Sequence, residues 1–287
     1  MFNLAKRNVK LFFRDRASVF FSLLGVIIII GLYILFLGDM MQSGMDEVKG
    51  VRFLMDSWIM AGMLAAAGMT TTLGAMGTMV DDRSTGRLKD FYAAPVRRAD
   101  ITGGYMLSSM FIGFIMSLIA FVFAEIYIVA YGGQILPLLS ILKMIGLLFL
   151  SVLSSSSMIY FLVSFFKTSN AFAAASTVIG TMIGFLTGIY IPIGTLPGAV
   201  QWVIRIFPVS HTGVLMRQVM MEAPLAASFA GAPEAMVTAF KQEMGVEFTY
   251  GSYTMEPWGH ILVLVITTIL FFGLSVWRLS KRKNTWK

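Results

Sequence analysis

Residues 18–38 read SVFFSLLGVIIIIGLYILFLG, a run without a single charged side chain. As a helix rising 1.5 Å per residue it reaches about 30 Å, the thickness of a bilayer's hydrocarbon core. A helix on the surface of a soluble protein would carry charges along one face, and this one carries none. The run is therefore predicted to cross a membrane. Basic residues ahead of it (Lys6, Arg7, Lys10, Arg14, Arg16) also fit a signal peptide, but that class has an apolar region of only about 7–15 residues and a small-x-small site after it. Neither holds here, so the run is expected to remain as a first span.

Working outward, five further apolar stretches are long enough to span: 57–80, 104–130, 138–166, 171–191 and 258–279. The composition agrees, with 57% hydrophobic and 13% charged residues, against about 25% charged in a soluble domain. We expect an all-α membrane protein with six transmembrane helices in one domain over 1–287. Ahead of them, segment 1–17 sets Phe2, Leu4, Val9, Leu11, Phe12 and Phe13 among its cations, as an amphipathic helix lying along a membrane surface does.

Lys and Arg beside the spans set orientation. Five precede the first span, five follow the second (Arg83, Arg87, Lys89, Arg97, Arg98), Lys167 follows the fourth, and five close the chain (Arg278, Lys281, Arg282, Lys283, Lys287). Six spans put all sixteen on one side, with both termini cytoplasmic. The net charge of +7 is thereby explained by the membrane surface, and no nucleic-acid partner is expected.

Segment 192–257 is the ambiguous part. Its stretch 196–221 invites a seventh span, but Arg205, Pro208, His211 and Arg217 interrupt it and a seventh span would move the basic tail outside. The expectation is short re-entrant or interfacial helices, then a polar helix over about 225–244.

No residues for covalent chemistry, metal or cofactor are predicted. Cysteine is absent, no phosphate-binding loop occurs, and His211 and His260 lie in no ligand spacing, so each reads as a satisfied polar residue. The 22 methionines, with Met40, Met41, Met45, Met55, Met60 and Met63 around the start of the second span, read as gap-fillers and not as a copper site. Within the spans, Glu125 and Lys143 sit at similar depth across a short turn and are expected to form an intramembrane pair. Ser151, Ser154, Ser155 and Ser157 are expected to bond between helices. Ser176, Gly180, Gly184 and Gly188 recur every four residues, a ridge for close helix packing.

The loop 81–103 is the most informative segment. Its stretch Asp82-Arg83-Ser84-Thr85-Gly86-Arg87-Leu88-Lys89-Asp90-Phe91-Tyr92 precedes Pro95. It predicts a short helix that ends before the proline and projects Leu88, Phe91 and Tyr92 as an apolar knob ringed by charge, suited to docking a soluble partner.

Three features together resemble the membrane subunit of ABC type 2 exporters: the basic amphipathic start, the acidic-Arg…Gly…Pro loop, and the run Pro192, Leu196, Pro197, Pro208 after the fifth span. The resemblance implies two copies of a separate ATPase subunit that bind ATP and Mg, and a second permease subunit, identical or homologous. It also implies a coupling helix over 83–95 seated on the ATPase and a re-entrant cap over 192–221, in a cell membrane of bacterial type. Apolar, Met- and Phe-rich spans favour an amphipathic or hydrophobic substrate such as a drug, antimicrobial peptide or lipid over a polysaccharide or teichoic acid. An ion-coupled transporter using Glu125 and Lys143 competes, without a visible internal repeat, and a membrane enzyme would need a catalytic cluster that two separated histidines do not supply.

Overall fold

The computed structural model describes residues 1–37 and 50–281. The expected Met40, Met41 and Met45 and most of the basic tail lie outside that range. Helix α1 (Phe2–Arg14) is followed by Asp15, whose carboxylate caps the next helix by accepting from Ala17 N–H at 3.0 Å and from the Ser18 hydroxyl at 2.6 Å. Helix α2 (Arg16–Leu32) continues into a π-helical turn, Tyr33–Leu37.

Helix α3 (Val51–Ser84) has 34 residues and is therefore about 50 Å long, well beyond the hydrocarbon core at both ends. It is the axis of the bundle. Of its most apolar window 89% is buried, against 17% in α2. The reason is its small-residue sequence. A side chain added at Gly68 would meet Ser151 Oγ at 2.7 Å, and α3 in turn presents Thr72 to Gly113, so neighbours approach closely. Met55, Met60 and Met63 are buried here and fill the gaps between helices.

On α3 pack α2, α5 (Arg98–Ala130), α6 (Leu138–Val163) and α7 (Ser169–Leu186), α12 (Pro257–Lys281) packs on α6, and the short α4 (Arg87–Ala93) joins α3 to α5. Among the described residues six helices are long and apolar enough to cross a membrane, and no seventh forms in 196–221. That stretch breaks into α8 (Gly198–Ile206) and α9 (Pro208–Met220), with Pro208 at the first position of α9, where its missing N–H costs nothing. The polar helix expected over 225–244 is two, α10 (Glu222–Ser228) and α11 (Glu234–Glu243), interrupted around Pro233. A hairpin of β1 (Thr249–Tyr250) and β2 (Tyr253–Thr254) leads into α12.

Candidate functional site

The basic ends of the bundle meet in one place, around the end of α3. Gly86 makes the turn out of α3 with φ +82°, a conformation open to glycine at little cost, and α4 starts at once. Ala94 is extended, as a residue before proline must be, so α4 stops one residue before Ala94 and two before Pro95.

Asp82 anchors this corner. Its carboxylate is almost completely buried and accepts two bonds from Arg7 of α1 at 2.6 and 3.1 Å and one from the Tyr105 hydroxyl of α5 at 2.7 Å. Arg87 lies 3.6 Å away. The bond to Asp82 raises the Arg7 pKa above its ordinary value. Arg7 also lies over the Phe91 ring, 5.4 Å from its centre, and Asn8 donates to Ser108 of α5. One carboxylate thus ties α1, α3, α4 and α5 together. Gly104 permits it, because a side chain there would meet Leu4 of α1 at 2.9 Å.

The neighbouring residues tie in the other helices. Arg83 donates to the carbonyls of Val163 and Phe166 just beyond α6, the negative end of that helix's dipole. Asp81 accepts from Ser169 at the start of α7 at 2.9 Å, and Arg278 near the end of α12 lies over Phe165. The loop after the second span is therefore rooted in α1, α5, α6 and α7.

The expected apolar knob is corrected by the structure. Leu88 is buried in the chain's own core and Phe91 is half-buried against it. A seven-residue helix with apolar residues at i and i+3 has one apolar face, and here the bundle takes it. The face left exposed carries Arg87, Lys89, Asp90 and Ala93, continued by Pro95, Val96 and Arg97. Tyr92 lies in α4, its side chain outside the described residues.

A second feature is a cleft of about 550 Å³ between α2, α3 and α7, lined by Ser22, Gly25, Thr70, Gly74, Ser176 and Gly180 among others. The Ser176 hydroxyl is buried there without a hydrogen-bond partner. The expected ridge is thus divided. Ser176 and Gly180 face the cleft, Gly184 makes room for the Tyr190 ring, and Gly188 lies beyond the helix with φ +67°.

The far end of the molecule is held by Arg217, which the sequence showed only as an interruption of an apolar stretch. Gly188 closes α7 in a Schellman turn, with Ile189 N–H on Gly184 O and Gly188 N–H on Phe185 O. The two carbonyls left at that turn, Thr187 and Gly188, accept from Arg217 at 2.7 and 3.2 Å, and Gly245 O accepts at 3.4 Å. Arg217 is fully buried and stacks on Trp58, 4.8 Å from the ring centre, in space left by Gly62, Gly188 and Gly245. Pro192 opens a 3-10 turn, Leu196 is half-buried beside Ile193, and Pro197 precedes α8.

His211 and His260, read as separate, meet with their Nδ1 atoms 2.7 Å apart. The second nitrogen of His211 donates to Arg205 O at 2.9 Å, which makes its Nδ1 the acceptor of the pair. A third cluster was also missed. Asp56, completely buried, is paired with Arg52 at 3.3 Å beside the hydroxyl of Tyr127.

Glu125 and Lys143 do not pair. Glu125 Oε2 accepts from Leu136 N–H at 3.1 Å, closing the turn between α5 and α6, while Lys143 is exposed on the outer side of α6. A buried backbone N–H in that turn needs an acceptor, and a lysine at a helix surface can reach the interface alone. Two of the α6 serines expected to bond between helices do not: Ser157 donates to its own helix at Leu153 O, and the buried Ser154 hydroxyl has no partner among the described residues. They act as small residues.

A multi-pass helical membrane protein whose charged corner gathers the amphipathic start and the loop after the second span has the build of a transporter subunit. The model of the ABC-2 family transporter proteins matches residues 50–277, and the chain belongs to that family. It is a transmembrane subunit of an ABC transporter, with the ATPase on a separate chain. No curated protein matches it.

Proposed function

We propose that the chain is the membrane half of an ATP-driven exporter that moves an amphipathic or hydrophobic substrate out of the cytoplasm or inner leaflet. The observation that carries this reading is the root of α4. A short helix with a charged outer face is tied through Asp82, Arg83 and Asp81 to α1, α5, α6 and α7. A push on α4 by a motor reaches those helices without slack. On this reading the face and both termini are cytoplasmic, which the Lys/Arg bias supports, and two ATPase copies dock there beneath a bacterial plasma membrane. The outer segment around Pro192, Leu196, Pro197 and Pro208, braced by Arg217, serves as the exit cap.

A second permease copy would cover α2 and α7, which bury little of themselves and flank the cleft of Ser176 and Gly180. Two such clefts facing each other make a pathway whose walls are apolar with scattered hydroxyls. ATP-driven closure then biases it between inward-facing and outward-facing states.

The docking test uses the exposed face and spares the buried one. Lys89→Glu with Asp90→Lys leaves the apolar side of α4 intact, so insertion and thermal stability should stay at wild-type levels. Recovery of the ATPase with the purified complex and transport per ATP hydrolysed are expected to fall at least ten-fold, roughly what the loss of two good charged contacts at an interface costs. Full recovery with coupled transport would overturn the docking assignment.

A further inference from the structure

We propose that a cleft between α5, α6 and α12 binds one acyl chain of an anionic phospholipid, with Arg97 at the phosphate. The cleft holds about 770 Å³ and shares no lining residue with the one between α2, α3 and α7. Helix α6 packs against both α5 and α12 and forms its floor.

Its chemistry is that of a hydrocarbon site. Met106, Leu107, Met110, Leu153 and Phe272 make the walls, and the Met1 side chain, lying on Gly103, closes the end nearest α1. Two of the hydroxyls that line it are already spent. Ser157 donates to Leu153 O and Thr268 to Leu264 O, each within its own helix, so neither has its proton free to donate to a polar ligand at that depth.

Its dimensions and charge point to a membrane lipid. Arg97 and Met110, at the two ends of the α5 lining, are about 20 Å apart along the helix, enough for one leaflet's share of the hydrocarbon core plus the headgroup region. Arg97 stands at the end where α5 begins, exposed, and forms no ion pair among the described residues. A fixed cation at headgroup level selects an anionic lipid over a zwitterionic one by about five-fold. Arg97 follows α4 and lies outside the Lys89 and Asp90 pair that tests docking, so the two readings fail separately.

The test is native mass spectrometry of the purified full complex titrated with phosphatidylglycerol, with phosphatidylcholine of the same chains, and with glycerol phosphate alone. The first phosphatidylglycerol should bind about five-fold more tightly than phosphatidylcholine, and glycerol phosphate should not be retained. Arg97→Gln should abolish the preference and keep chain binding. Thr268→Phe, which fills the cleft from α12, should weaken both lipids at least ten-fold, while Ile269→Phe on the exposed side of the same helix should change neither. Leu107→Phe fills the cleft from α5, so loss of one filled variant to misfolding leaves the other to decide. Equal affinity for both lipids in the wild type, unchanged binding in a folded filled variant, or retention of glycerol phosphate would overturn the assignment.

Discussion

Replacing Asp82 by Ala removes the acceptor of three hydrogen bonds from two other helices. Breaking a buried ion pair by deleting one partner costs roughly 3–5 kcal/mol when the other charge is left dry. Arg7 keeps about a third of its side chain in water and can turn outward, so its share is screened. We expect about 2–3 kcal/mol of destabilisation, and about 1–2 kcal/mol for Asp82→Asn, which still accepts from Tyr105. Reversible unfolding in mixed micelles measures both. A cycle with Arg7→Ala should return a coupling of about 1–3 kcal/mol, because the two groups touch. A local readout separates this corner from the rest. The chain has no cysteine, so Leu4→Cys, pressed against Gly104 in the wild type, reports only on α1. Its thiol labelling should accelerate at least ten-fold in the Asp82→Ala background as α1 lifts. Additive stabilities with unchanged labelling would refute the view that Asp82 clamps α1 to the bundle.

Arg217→Lys keeps the charge but cannot fork between the carbonyls at the end of α7 and Gly245 O while stacking on Trp58. It should lower stability by about 2–3 kcal/mol, and a thermal melt within about 0.5 kcal/mol of wild type would argue against the clamp. Burial holds the His211 pKa below its ordinary value, so near pH 6 the unfolded chain binds more protons than the folded one. Stability present above about pH 6.5 is therefore lost as pH falls, by at most about 1.4 kcal/mol per unit for this group. Melting curves from pH 7.5 to 5.5 should be flatter for His211→Gln than for wild type.

Glu125 and Lys143 show how far one-dimensional reasoning reaches. Depth along a span follows from residue counting, and both residues do lie near the same end of their helices. Which way each points around the helix axis does not follow, and that angle left Lys143 outside and aimed Glu125 at the Leu136 amide. The apolar side of α4 was misassigned for the same reason. Leu88 and Phe91 were correctly seen to share a face, but the bundle and a soluble partner compete for such a face, and only the packing says which has it. The pairing of His211 with His260, 49 positions apart, left no periodic signal to find.

By itself the sequence determined the six spans, the short helix ending before Pro95 and the absence of a seventh span. These follow from local quantities: apolar length against bilayer thickness, proline geometry, and the cost of charge in hydrocarbon. Tertiary structure alone decided what holds the two ends of the molecule. Asp82 with Arg7 and Tyr105, and Arg217 with Thr187, Gly188 and Trp58, each join residues from different helices. A buried polar group must find its partner wherever the packed helices bring one within about 3 Å, and that distance is set by rotation and glycine-permitted approach, not by position along the chain.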